Sequence, residues 1–433
     1  MTSLDLVIRG ARTWRPGGVV VADVGIAAGR IAAVAIDGAT SSLLSNGTPS
    51  IDARGLLLLP GLIDDHVHFR EPGREDKEDF ATGSRAAAHG GATTVCEIQN
   101  NAPLMTSRAN VESKLALARG KSVVNVALYG TANAQSVGRL SEFADLVVGF
   151  KVFLAPSHGD PGVDAESMLF ALFQEVARIG KPMVVHAEDK SAIESGVKRF
   201  GEAGAGAWSK ARPPAAEVLA VERAIRLARS TGARIHLFHL STAGAVDRVA
   251  DAKAEGLPVT AATCPHYLLF TDADVAERGG LLKVNPSIKS DIDRARLRDG
   301  VRDGTIDVIE TDHAPHLPDE KRTAEFAKNP SGISCADVLL PSLFELISNG
   351  VLTLDTLVER ACRAPARLYG LQGKGVIEPG ADADLVLVDD RAPSAPTAAE
   401  FRSKANVSPY VGRSFPARVV KTFVAGREAF PGA

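Results

Sequence analysis

The chain has 433 residues, with 49 lysines and arginines against 52 aspartates and glutamates, for a net charge of −3. No basic excess is available to displace counterions, which argues against nucleic acid as a partner. Hydrophobic residues at 45% and charged residues at 23% exclude wholesale disorder, and the length admits a barrel of roughly 250 residues or more with an attachment.

The opening segment, Met1 to Trp14, lacks the continuous apolar region of a signal peptide. The longest apolar run, GLLLLPGLI from Gly55 to Ile63, is interrupted by Pro60 and too short to cross a bilayer. The four cysteines, Cys96, Cys264, Cys335 and Cys362, form no paired motif and read as buried small hydrophobes. The expectation is a reduced, cytoplasmic protein with no membrane partner.

From Leu4 to about Arg54 the texture is strand-like, in LDLVIRG, VVVADVGIAAG and RIAAVAID, and it returns after about Gly375 in ADADLVLVDD and ARVVKTFVAGREAF. Neither end can bury a large core alone, so the two ends are expected to pair as one small β-sandwich domain, residues 1–55 with 373–433. Between them, residues 56–372 alternate short β-rich runs with segments of helical spacing. The runs are Leu62–His68, Thr93–Gln99, Val123–Tyr129, Val147–Leu154, Pro182–Ala187, Arg234–Leu240, Pro258–Thr263 and Ile306–Thr311. Helical spacing marks Ala81–His89, Val111–Arg119, Ser167–Ile179 and Glu217–Ser230. Eight βα units with largely apolar strands point to an α/β fold, a (β/α)₈ TIM-type barrel. The stretches Ala203–Pro214 and His316–Ser334 read as loops at the functional rim.

Chemistry-bearing residues end the runs. The first ends in Asp65-His66-Val67-His68, the fourth carries Lys151, the fifth His186, the sixth His236 and His239, and Asp312 follows the eighth. Barrel strand ends converge on one face. His66 and His68 are i and i+2 on a strand, so both rings point the same way. Joined by His186, His239 and Asp312 they form a nitrogen/oxygen set suited to Zn²⁺. His236 and His239 are three apart, so only one is expected to face the axis; we take His239 and leave His236 against a helix. Lys151 reads equally as an ion pair or a catalytic amine. His89 and His158 read as ordinary helix and loop residues, and His266, after the seventh run, is balanced between a structural and a site role.

No G-x-S-x-G elbow, Walker A loop or HExxH helix occurs, which removes the commonest serine hydrolase, ATPase and zincin readings. The set suits a pair of divalent cations and hydrolysis, or its reversal, of an amide-like C–N bond, with Asp312 as general base and then acid. Arg70, two residues past His68, is expected to reach the same cavity and grip a substrate carboxylate, with Asn100 as a second donor.

The segment PGLIDDHVHFREPG, Pro60 to Gly73, resembles the opening metal motif of the amidohydrolase superfamily, and within it of class I dihydroorotases, including the Arg that separates these from allantoinases. The segments Lys77–Val95, Lys283–Leu297, Gly304–His316 and Phe401–Phe415 are similar along the line. Ile98-Gln99-Asn100-Asn101 keeps the Asn of the family's Met-Pro-Asn-Thr. GFKVFLAPS at the fourth run resembles allantoinases, hydantoinases and some dihydroorotases.

The resemblance implies His66, His68, His186, His239 and Asp312 as ligands of two Zn²⁺ ions, bridged by a carboxylated Lys151. It implies Arg70, Asn100, Asn285 and His316 as holders of a small-molecule substrate bearing a carboxylate. The implied reaction is the reversible interconversion of dihydroorotate and N-carbamoyl-L-aspartate in pyrimidine biosynthesis. A homo-oligomer, dimer or tetramer, and association with aspartate transcarbamoylase are further implications. The rival readings are a hydantoinase or allantoinase, and a non-catalytic homologue that organises a transcarbamoylase.

Overall fold

The computed structural model describes residues 4–36, 48–156, 160–201 and 204–431. His158 lies outside these residues.

The apolar runs of the middle region become eight parallel strands that pair in sequence order: Leu62–Val67, Ala92–Glu97, Asn125–Thr131, Gly149–Phe153, Met183–His186, Ile235–Leu237, Val259–Thr263 and Val308–Ile309. Residues alternate between interior and exterior, so Cys96, Tyr129, Val184, Phe238, Ala262 and Val308 fill the barrel with Ala364 and Tyr369 from a helix near the end of the domain. Their neighbours along the strands, such as Val95, Leu128, Val152, Val185 and Leu237, pack outward against helices.

The last strand has only two residues, and no ladder joins it to the first. The Asp64 side chain and one isolated parallel bridge, Val67 with His313, close the seam instead. Thr311 donates its backbone N–H to Asp64 Oδ1 at 3.0 Å and its hydroxyl to Oδ2 at 2.6 Å, while His68 N–H donates to His313 O at 2.8 Å. Asp64 is wholly buried, and burial pushes its carboxyl up to about 7.

Helices fall where the 3.6-residue spacing places them, extended by a turn or less: Phe80–His89, Arg108–Lys121, Glu166–Ile179 and Pro214–Thr231. Asp79 and Ser107 cap two of them by accepting from Thr82 N–H and Asn110 N–H, which satisfies donors that a first helical turn leaves free. The stretch read as a loop around position 208 carries a short helix, Trp208–Ala211, and the one after the eighth run carries Pro318–Lys321.

The chain ends build one continuous sheet of eight strands, drawn from residues 6–60 and 385–431. Leu57–Pro60 belongs to it, antiparallel to Leu385–Asp389, although a boundary at residue 55 leaves that strand with the barrel. The sheet curls until Ile31 exchanges backbone hydrogen bonds with Gly380 and Ala381. Strand alternation then gives it two buried faces. Leu58, Leu385 and Leu387 close a core with Ile8, Val24, Ile31 and Phe423, while Leu57, Leu59, Val386 and Val388 pack on the barrel's helices. Among the described residues no helix is long and apolar enough to cross a membrane.

Candidate metal centre

His66 and His68 do share a strand face: their Nε2 atoms lie 3.2 Å apart. Asp312, from beyond the last strand, brings Oδ1 to 3.3 Å from each. Donors held about 2.0–2.1 Å from one ion at tetrahedral angles sit roughly 3.3 Å from one another, so these three atoms have the spacing of a coordination face. Across the mouth, His186 Nδ1 and His239 Nε2 lie 3.0 Å apart. The His66 and His239 ring centroids are 5.2 Å apart, so the two pairs share one cavity of about 330 Å³.

Lys151 sits at this junction, 1% exposed, with its Nζ 4.3 Å from the Phe238 ring centroid and 4.7 Å from that of Phe153. The Nζ has no hydrogen-bond partner, and neither has Nδ1 of His239. Burial pushes the lysine down to about 7. An unpaired buried amine among imidazoles is costly unless a further group engages it, and that marks the cluster as built around something the side chains alone do not supply.

Burial is also the main force on the imidazoles. It lowers His66 and His68 well below the usual histidine range, with Lys151 and Arg70 adding repulsion. It does the same for His239, with His186 adding to it, and it lowers His186 itself. All four are therefore neutral near pH 7 and present lone pairs, as metal ligands must. Three are aimed by a partner on the other ring nitrogen: Ile98 O at 2.9 Å from His68 Nδ1, Glu310 Oε1 at 3.3 Å from His66 Nδ1, and Glu188 Oε2 at 3.0 Å from His186 Nε2. Arg212 grips Glu188 through both oxygens. Burial raises the Asp312 carboxyl to about 6.

The expectation that only one of His236 and His239 faces the axis is overturned. The sixth strand ends at Leu237, and His239 adopts a left-handed φ of 41°, which returns its ring to the interior. His236 points inward one layer deeper. It does not sit against an outer helix; its Nδ1 contacts Thr260 Oγ1 at 2.8 Å and its Nε2 lies 3.4 Å from Asp65 Oδ2. Asp312 and Arg70 share the left-handed conformation, at 48° and 62°, so three of the five non-glycine residues with positive φ among the described residues are candidate site residues.

Arg70 is thus turned by its backbone and not by strand alternation, since the first strand stops at Val67. It is 4% exposed and has no acidic partner among the described residues. Nη1 donates to Asn100 Oδ1 at 2.8 Å, Nη2 approaches Pro315 O at 3.4 Å, and Nε has no partner. His316 stands beside it, with Nε2 3.5 Å from Nη2. Asn100 and Asn285 line the cavity directly, and Asn285 Oδ1 is buried without a partner. His266 is wholly buried behind Asp312, stacked on Tyr267 at 4.2 Å and without a hydrogen-bond partner. His89 pairs with Asp337 at 2.9 Å, away from the site. All four cysteines are buried free thiols.

Two supporting carboxylates escaped the sequence reading. Glu310, two residues before Asp312, accepts from His239 N–H at 2.8 Å as well as meeting His66. Burial, and Asp65 beside it, raise it well above the usual carboxylate range. Glu188 lies two residues past His186. Neither was signalled by strand alternation, because both lie past the ends of their strands, Val308–Ile309 and Met183–His186.

A family model described as the amidohydrolase family matches residues 57–429. An allantoinase of Rubrobacter xylanophilus is 40% identical, covering 100% of this chain and 95% of its own length. A dihydroorotase of Pelobacter propionicus is 39% identical over 89% of this chain and 90% of its own. The solved structure of L-hydantoinase (dihydropyrimidinase) from Arthrobacter aurescens superposes with a TM-score of 0.92 at 30% identity, covering 99% of this chain and 97% of the other.

Proposed function

The chain belongs to the amidohydrolase family, and from that premise we propose that it hydrolyses a cyclic amide carrying a carboxylate, with dihydroorotate as substrate and N-carbamoyl-L-aspartate as product. Arg70 carries the reading. A guanidinium this buried, with no ion pair to a carboxylate among the described residues and set beside the candidate ligand cluster, is compensated when an anionic substrate arrives. Burial lowers it only to about 10, so it stays charged at neutral pH.

His66, His68 and Asp312 would hold one divalent cation, taken as zinc, and His186 with His239 a second. Lys151 would bridge them as a carbamate, formed when its neutral amine adds to carbon dioxide and releases a proton. Cations so held supply Lewis-acid polarisation of the ring carbonyl and acidify an adjacent water. Asp312, already displaced toward neutrality by burial, takes the attacking water's proton and returns it to the departing ring nitrogen. Arg70 and Asn100 fix the substrate carboxylate, Asn285 stands on the cavity wall to orient the ring, and His316 backs Arg70. Glu310 and Glu188 keep the imidazoles aimed.

A second reading, an allantoinase, is favoured by one observation: the 40% identity to a relative of that name. Steady-state assays of the zinc-loaded protein with dihydroorotate, hydantoin and allantoin separate the two. Dihydroorotate is expected to have the highest kcat/KM; turnover of only the other two would replace it. A non-catalytic role is opposed by the intact set His66, His68, Lys151, His186, His239 and Asp312.

A further inference from the structure

Beyond the histidines the cavity is lined by two stretches of chain that end near one another. Ser331 and Gly332 belong to one and Val284 and Asn285 to the other. Gly332 has φ +148°, and a Cβ there would lie 2.3 Å from Ala314 O, so position 332 presents only main chain. The buried carbonyls of this segment need donors. Two buried lysines from separate elements place them.

Lys321 ends the short helix Pro318–Lys321 and is 4% exposed. Among the described residues no carboxylate pairs with it. Its ammonium donates to Pro330 O at 3.0 Å, to Gly332 O at 2.7 Å and to Lys283 O at 3.1 Å. Lys283 O also accepts from Gly332 N–H at 2.9 Å, so one cation ties the chain on either side of Ser331 to the residue preceding Val284. Lys77, 6% exposed, works from the opposite side. Its Nζ donates to His316 Nδ1 at 2.9 Å, which leaves the proton on Nε2, and Nε2 donates to Ser331 O at 3.1 Å. Glu320 Oε1, 2.9 Å from Nζ, steadies that ammonium. Three consecutive carbonyls, of residues 330, 331 and 332, therefore each accept from a group placed by a buried lysine.

We infer that Lys321 and Lys77 are positioning residues that set the backbone wall Pro330–Gly332 against which substrate is held, Lys321 directly and Lys77 through His316. The inference rests on the substrate reading above for its kinetic consequence, but not for its structural one.

The test compares Lys321→Met and Lys77→Met with Lys328→Met, a 68% exposed lysine of the same loop whose partner is Glu325. Both buried-lysine variants are expected to raise KM for dihydroorotate about 10-fold or more while metal content stays the same and kcat stays within about threefold. Lys321→Arg, which keeps donors for the carbonyls, should recover most of the loss, and Lys328→Met should match the wild type. Hydrogen exchange at the Gly332 amide, measured without substrate, should quicken in Lys321→Met. A KM within about twofold of wild type in both methionine variants overturns the inference. If the wild-type protein turns over no cyclic amide, the substrate reading fails by itself, and unchanged Gly332 exchange in Lys321→Met then overturns the clamp separately.

Discussion

Asp312 places Oδ1 3.3 Å from Nε2 of His66, although one follows the last barrel strand and the other lies on the first. The contact crosses the one seam that no strand ladder closes. Asp64 and Thr311 hold that seam, so barrel closure brings these two candidate ligands together.

Asp312→Asn keeps the shape of the side chain but cannot shuttle a proton. Turnover is expected to fall about 10²–10⁴-fold with the fold intact. Near-normal kcat, measured with metal content verified, would assign the base elsewhere.

Arg70→Met removes the buried guanidinium. A charge-assisted contact contributes about 1.5–3 kcal/mol, so kcat/KM for dihydroorotate should fall roughly 10- to 150-fold. The loss should appear mainly in KM, and a neutral hydantoin should lose far less. An unchanged KM for dihydroorotate contradicts the carboxylate role.

Glu188→Gln weakens the aim of His186. Burial opposes ionisation of Glu188, yet Arg212 and His186 hold it well below the usual carboxylate range, so an ionised carboxylate faces the His186 ring. Metal affinity of the second position is expected to drop about 10- to 100-fold, read by competition with a chelator. Unaltered affinity would show that the ring is fixed by packing alone.

Asp64→Asn tests the seam through pH. The folded-state pKa is raised from 3.8 to about 7, so between these values the unfolded chain has released a proton that the folded chain still holds. Stability supplied by the protonated acid is therefore full below about pH 4 and lost as pH rises to 7, by about 4 kcal/mol relative to a non-titrating residue. Denaturation of metal-free wild type and variant at pH 5 and pH 8 should show the wild type losing about 2.7 kcal/mol relative to Asp64→Asn. A difference that does not move with pH would mean Asp64 is ionised throughout.

The barrel was legible because its strands are apolar on both faces and its helices keep a 3.6-residue spacing. The convergence of the candidate cluster was legible because its residues sit at strand ends, where His66 and His68 alternate in phase. Alternation failed where the backbone leaves the strand. His239, Arg70 and Asp312 turn inward through left-handed φ, which no spacing rule encodes, so His236, in phase with the interior Phe238, and His239 both face inward. The curl of the outer sheet depends on pairing between the two chain ends, and no local signal in Leu57–Pro60 says that it joins Leu385–Asp389. The wall at Gly332 was hidden for a related reason: its chemistry is carbonyl groups, and the lysines that order them look like surface residues in the sequence.

Metal stoichiometry tests the central claim most directly. After incubation with zinc and bicarbonate and removal of loosely held ions, the wild-type chain should retain about two equivalents, and Lys151→Ala about one or fewer. A wild-type chain holding less than one equivalent would contradict the claim that side chains from His66 to Asp312 converge to hold a cation pair.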